Sequence, residues 1–156
     1  MTWKFNPLTG NLDYYKKGGS VGEEVDPIFT TWLEANDGSL IVYDVPCDSS
    51  VFVTAAVRMF SGVAYNAQAD SMANSNFIGI IENKGSSILC DIRVSGITAE
   101  IFTGLDETKE YYLSDINPGE ITTSIPTNTN SIMLKVGQPF SDKKFLVNKG
   151  QRIKRA

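Results

Sequence analysis

The chain contains no histidine. Its absence removes the usual general base at neutral pH, and with it every His-based triad and His-ligated metal site. Cysteine occurs only at Cys47 and Cys90. Two cysteines allow a single bridge and supply neither zinc nor redox spacing, so both are expected as small buried hydrophobes, kept reduced at a cytosolic assembly site. No apolar run approaches the ~20 residues that cross a bilayer. Met1-Thr2-Trp3-Lys4-Phe5-Asn6-Pro7 lacks the charged-then-apolar layout of a secretory leader. Neither a heptad pattern nor a repeat of fixed period is present. These absences leave the expectation of a soluble chain without membrane insertion, without enzymatic activity, and without metal or cofactor.

What is there is an ordinary globular composition. Of 156 residues, 42% are hydrophobic and 21% charged, which suits one domain with a short appendage. A chain of this length buries roughly 68–70% of its unfolded surface and needs no covalent staple. The net charge of -4 is unevenly spread. Six of the 14 basic residues (Lys143, Lys144, Lys149, Arg152, Lys154 and Arg155) fall in the last 14 positions, where no Asp or Glu lies. The remainder carries 8 basic against 18 acidic residues. A basic tail on an acidic body suits docking between copies of the chain or onto an acidic protein. No aromatic follows Phe145, which argues against base stacking and so against a nucleic-acid partner.

Along the chain, Asn6-Pro7-Leu8-Thr9-Gly10 has the residues of a tight turn. Trp3 and Phe5 alternate before it, and Leu12 and Tyr14 after it, which describes a small hairpin with an aromatic face over 1–17. Lys16-Lys17-Gly18-Gly19-Ser20-Val21-Gly22 leads into a flexible linker over 18–25. Asp26-Pro27 fits a helix start, and Ile28, Phe29, Trp32 and Leu33 recur at helical spacing up to Asn36-Asp37-Gly38. From Ser39 onward the period is two. Strands are expected at Leu40–Tyr43, Val51–Val57, Asn76–Glu82, Ser87–Val94, Glu110–Leu113, Ile121–Thr123, Ile132–Gly137 and Lys144–Val147. In Ser87–Val94, Ile88, Cys90, Ile92 and Val94 face one way, Asp91 and Arg93 the other, until Ser95-Gly96 breaks the pattern. Asn117-Pro118-Gly119-Glu120 is a turn, and Ser124–Asn130 a polar loop. Ala64–Ser75 fits either a helical turn or a surface loop. The expected architecture is mainly β: an N-terminal hairpin arm, a linker, a short helix, then a β-sandwich or partly closed β-barrel over 26–149 and a basic tail over 150–156.

Candidate chemistry is sparse. Ser71 lies beside Asp70 but has no His to activate it. Glu23-Glu24 and Asp106-Glu107 could act as carboxylate pairs in a glycosidase, yet both sit where solvated charges are the default. No loop carries calcium-ligand spacing, and no Gly-rich loop opens a helix for phosphate. Tyr65, Tyr111 and Tyr112 could stack on a sugar. Adjacent tyrosines on a strand point to opposite faces, so one of Tyr111 and Tyr112 is expected in the core.

The opening Trp3-Lys4-Phe5-Asn6-Pro7-Leu8-Thr9-Gly10-Asn11-Leu12-Asp13-Tyr14-Tyr15 resembles the start of many tailed-bacteriophage virion proteins, among them tail fibres, head fibres and related appendages. The run Val25-Asp26-Pro27-Ile28-Phe29-Thr30-Thr31-Trp32-Leu33 is similar to a segment found shortly downstream in that group. Phe77–Ile80, Val94–Ile97, Tyr111–Ser114, Pro118–Thr122 and Val136–Ser141 resemble a small β-domain of phage fibres. The resemblance implies a structural virion protein, a homo-oligomer and often a trimer, assembled in the host cytoplasm and resident in the virion. Its partners would be capsid, portal, neck or tail proteins, with a host-surface glycan for a fibre. Trp3, Phe5, Pro7, Leu8, Leu12, Tyr14 and Tyr15 would form the anchoring interface. Almost no shaft separates linker and β-domain, which suits a short fibre, adaptor or capsid decoration. The alternative is a receptor- or glycan-binding module of a fibre.

Overall fold

In a computed structural model the described residues are 2–5, 12–15 and 39–155. The chain divides into two compact units, 1–35 and 36–156. In the first, β1 (Thr2–Phe5) pairs antiparallel with β2 (Leu12–Tyr15). The register aligns Trp3 with Tyr14 and Phe5 with Leu12, alternating with Thr2–Tyr15 and Lys4–Asp13. The expected turn with Pro7 and Leu8, the linker and the short helix lie outside the described residues.

The second unit is built of strands, with no helix among its described residues. They are β3 (Leu40–Pro46), β4 (Ala56–Phe60), β5 (Val63–Asn66), β6 (Phe77–Asn83), β7 (Leu89–Ile97), β8 (Tyr111–Leu113), β9 (Ile121–Thr122), β10 (Ile132–Met133), β11 (Lys135–Pro139), β12 (Phe145–Val147) and β13 (Ile153–Lys154). Nine of them form one sheet in the order β5-β4-β6-β7-β12-β11-β8-β9, with β3 on the other edge of β7. The sheet is a curled half-barrel. Its first half nearly closes, because Cys47, just past β3, makes a parallel bridge to Ala64 of β5.

Strand alternation, reset on β6 by the bulge between its Gly79 and Phe77 pairings, sorts side chains into two cores. Val57, Ala64, Ile81, Cys47, Cys90 and Ile92 fill the space inside the curl. Ala56, Phe77, Ile80, Leu113, Leu134 and Phe145 belong to the other core. In the latter, the Phe145 ring meets Phe102 at 5.6 Å and Tyr111 edge-on at 5.7 Å, contacts worth ~0.5–1.5 kcal/mol each beyond area burial. Strands β4 and β6 therefore form a wall that is apolar on both faces, which explains why Phe77–Ile81 reads as an unbroken apolar run rather than an alternation. At Gly79 a Cβ would lie 2.3 Å from the Arg93 carbonyl oxygen, so only glycine lets β7 pack this close.

Three local expectations need correction. Val51–Val57 is not one strand. Residues 51–55 form turns, held by Val51 N–H to Asp48 O at 3.1 Å and Ala55 N–H to Phe52 O at 3.0 Å, and the strand begins at Ala56. Thr54 sits at φ 78°, which breaks the extended run. Ser95-Gly96 does not end β7: Ser95 pairs with Leu40 and Gly96 with Val147, so ladders on both edges carry the strand through to Ile97. Ala64–Ser75, expected as either a helical turn or a surface loop, is the end of β5 followed by a turn-rich loop. Its strand pairs with β4 across Ser61-Gly62, whose φ values of 49° and 79° make a type I′ hairpin turn. Finally, the basic C-terminal residues join the fold. β13 pairs with β10, Arg155 N–H reaches Ser131 O at 3.0 Å, and the Arg155 and Arg152 guanidiniums donate to Pro126 O at 2.8 Å and Met72 O at 3.0 Å.

Candidate functional site

The carboxylates and hydroxyls singled out in the sequence build turns. Asp70 accepts from Asn74 Nδ2 at 2.9 and 3.1 Å, and Ser71 Oγ accepts from Asn74 N–H at 3.2 Å, so the pair closes the loop after β5. Asp106 accepts from the Thr108 hydroxyl at 2.6 Å and Thr108 N–H at 3.0 Å, with Lys109 Nζ at 3.2 Å. Those partners hold its carboxyl below the usual carboxylate range, the Thr108 hydroxyl contributing most. Glu23 and Glu24 lie outside the described residues. Tyr111 is in the core, with its hydroxyl accepting from Asp106 N–H at 3.0 Å. Tyr112 faces the other way and donates to Glu110 Oε2 at 3.0 Å, an acceptor that raises the phenol's pKa. Tyr65 packs edge-on to Phe60 at 6.4 Å, with the Arg58 guanidinium 5.6 Å from its ring centre. Among the described residues no cluster of three His, Cys, Asp or Glu could hold a metal, and no helix is long and apolar enough to cross a membrane.

Two cation sites lie along β6. Strands β6 and β12 both pair with β7 but diverge near Phe77, leaving a groove of about 380 Å³ lined by Phe77, Val94 and Lys149. Lys149 Nζ donates to Phe77 O across it at 2.6 Å, and burial followed by the nearby Arg152 pushes the ammonium's pKa down. Farther along, Arg93 grips Glu82 with Nε to Oε2 and Nη2 to Oε1, both at 3.0 Å, while Ala99 N–H also donates to Glu82 Oε1. The two thiols are free and buried. Desolvation, then the adjacent Cys47, pushes Cys90 up to about 12, so it stays a neutral thiol, as its place among hydrophobes requires.

A second open cleft, also of about 380 Å³, lies beside β8 and β9. Phe52, Thr54, Phe102, Thr103, Tyr111 and Glu120 line it, with Phe102 and Tyr111 nearly buried. Three loops far apart in sequence supply these residues. Phe52 is 40% exposed although it is a large aromatic. Glu120 belongs to the turn expected at Asn117–Glu120, where its N–H reaches Asn117 O at 3.3 Å and Asn117 Nδ2 holds its carboxylate at 2.7 Å. Thr54 is the β-branched residue at positive φ, fixed there by its N–H to Ile81 O at 2.9 Å and by Ile81 N–H to Ala55 O at 2.9 Å. Sequence reasoning missed Phe52, Thr54 and Glu120. No local signal marks them, because Val51–Val57 has the composition of a strand.

Of the residues expected to anchor the chain, Trp3 and Phe5 lie on β1 and Leu12, Tyr14 and Tyr15 on β2, while Pro7 and Leu8 lie outside the described residues. No protein-family model, no curated protein and no solved structure matches the chain.

Proposed function

We propose that the chain is a structural protein of a tailed-bacteriophage virion, a short fibre, adaptor or capsid decoration, mounted on the particle by its aromatic N-terminal arm. The observation that carries this reading is the β1–β2 register, which aligns Trp3 with Tyr14 and Phe5 with Leu12 in a unit separate from the β-domain. A two-stranded hairpin is marginal in water and gains stability by lying on another surface. Burying large side chains there contributes ~1.5–3 kcal/mol each before ordering costs. Repeated copies add avidity, which a homo-oligomer, such as a trimer, supplies. The resemblance of the opening residues to phage appendage proteins points the same way.

The test is deletion of residues 1–17 followed by complementation of particles. The deleted chain should keep the circular dichroism of its β-domain and vanish from purified virions. Incorporation at the level of the full chain would overturn the reading. A second reading, a receptor- or glycan-binding module, draws on one observation, the cleft between Phe52 and Glu120.

A further inference from the structure

We infer that the cleft walled by Phe52, Thr54, Thr103 and Glu120 binds a neutral sugar ring. The inference deepens the second reading above and rests on it, and it is independent of the arm.

Its volume of about 380 Å³ falls within the ~300–1,000 Å³ of small-molecule sites. The lining is amphipathic in the way a pyranose is. A sugar ring has a C–H face that lies against an aromatic ring and a rim of hydroxyls that must keep hydrogen bonds. Phe52, 40% exposed, offers the ring, and Phe102 and Tyr111, both nearly buried, add apolar lining. Glu120 offers the rim an acceptor already oriented by Asn117. A carboxylate takes only O–H or N–H donors, whereas the Thr54 and Thr103 hydroxyls can donate or accept. Together they match a polyol.

Charge narrows the class. No Lys or Arg lines the cleft among the described residues, so a carboxylated or phosphorylated sugar would face Glu120 without a counter-charge. A wholly apolar ligand would strip water from the same carboxylate and return no hydrogen bond. Thr54 adds an independent observation. A β-branched residue at φ 78° is strained. Such strain persists where surrounding bonds over-determine it and clusters at ligand clamps. Here the bonds to β6 fix Thr54 against the wall of the cleft.

The experiment titrates the full isotope-labelled chain with glucose, galactose and N-acetylglucosamine, and with N-acetylneuraminic acid as the acidic comparator. At least one neutral sugar should shift the amides of Thr103, Gly104 and Glu120 with a Kd of about 1 mM. The acidic sugar should bind about tenfold more weakly or not at all. Phe52→Ala should weaken binding about tenfold. Glu120→Gln, which keeps the shape and an oxygen for Asn117, should weaken it about threefold. Phe60→Ala, an exposed aromatic off the cleft, should leave it unchanged. Binding of sugars or host cells that neither Phe52→Ala nor Glu120→Gln alters overturns the cleft and leaves the glycan-binding reading standing. No binding to sugars or to host cells overturns both.

Discussion

Removing one partner of the Glu82–Arg93 pair should cost far more stability than removing both. The two side chains are 9% and 12% exposed, with the closest approach, Arg93 Nη2 to Glu82 Oε2, at 2.9 Å. Water is therefore largely replaced by the partner. Taking either ion out of water costs several kcal/mol, and a two-pronged contact at this distance offsets that only while both charges are present. Glu82→Leu leaves the Arg93 guanidinium without its carboxylate, and Arg93→Met leaves a carboxylate that among the described residues keeps the Ala99 N–H. Each should lower stability by ~3–5 kcal/mol, whereas the double variant should fall within ~2 kcal/mol of the parent in either direction. With m near 2 kcal/mol per molar urea, each single change moves the unfolding midpoint by on the order of 2 M. The assay is urea unfolding followed by far-ultraviolet circular dichroism. Single-variant losses that simply add in the double variant, leaving a coupling below ~1 kcal/mol, would refute the reasoning and make the pair equivalent to an exposed one.

Three further perturbations probe other parts of the fold. Ser61→Asn converts the β4–β5 turn to Asn-Gly, the pair best suited to two successive positive φ values, and should raise the urea midpoint by the equivalent of a few tenths to ~1 kcal/mol; an unchanged or lower midpoint contradicts the turn assignment. Gly79→Ala places a methyl group against the Arg93 carbonyl and Ile92 Cγ2 and should destabilise by ~1–3 kcal/mol, read as a lower melting temperature. Cys90 ionises near its ordinary value of 9.0 in the unfolded chain but only at about 12 when folded. The folded chain thus holds the proton longer, so this contribution is complete below pH 9.0 and is lost as pH rises towards 12. The stability difference between the parent and Cys90→Ala should shrink across that interval, and iodoacetamide should modify Cys90 only once the chain unfolds.

Where the sequence alternates cleanly it can be read directly. In β7, Cys90 and Ile92 are buried while Asp91 and Arg93 are only half-buried, as period two requires, although Ile88, expected on the same face, precedes the strand and is exposed. The Asn117–Glu120 turn and the opposite facing of Tyr111 and Tyr112 follow from local rules in the same way. Thr54 shows the limit. Val51–Val57 has strand composition throughout, yet bonds from Ile81, distant in sequence, hold its middle in a turn. The tail shows another. Counting charges describes Arg152 and Arg155 as an appendage, but their guanidiniums end on carbonyl oxygens of Met72 and Pro126. Two-residue strands such as β13 leave no periodicity to detect. The cleft was illegible for a related reason: Phe52, Phe102 and Glu120 come from loops that meet only once the sheet has curled.

A strand with oil on both sides carries no polarity to say which side is which. Sliding β6 by one step would exchange Ile80 with Ile81 and still leave grease against grease. What forbids the slip is a notch: the β7 backbone presses against the one site without a side chain, Gly79, and a shift either way would drive Ile78 or Ile80 into it. The alignment of the domain's central wall is therefore keyed by a missing methyl group, and sequences that fold this way can exchange almost any apolar residue along β6 before they can fill that gap.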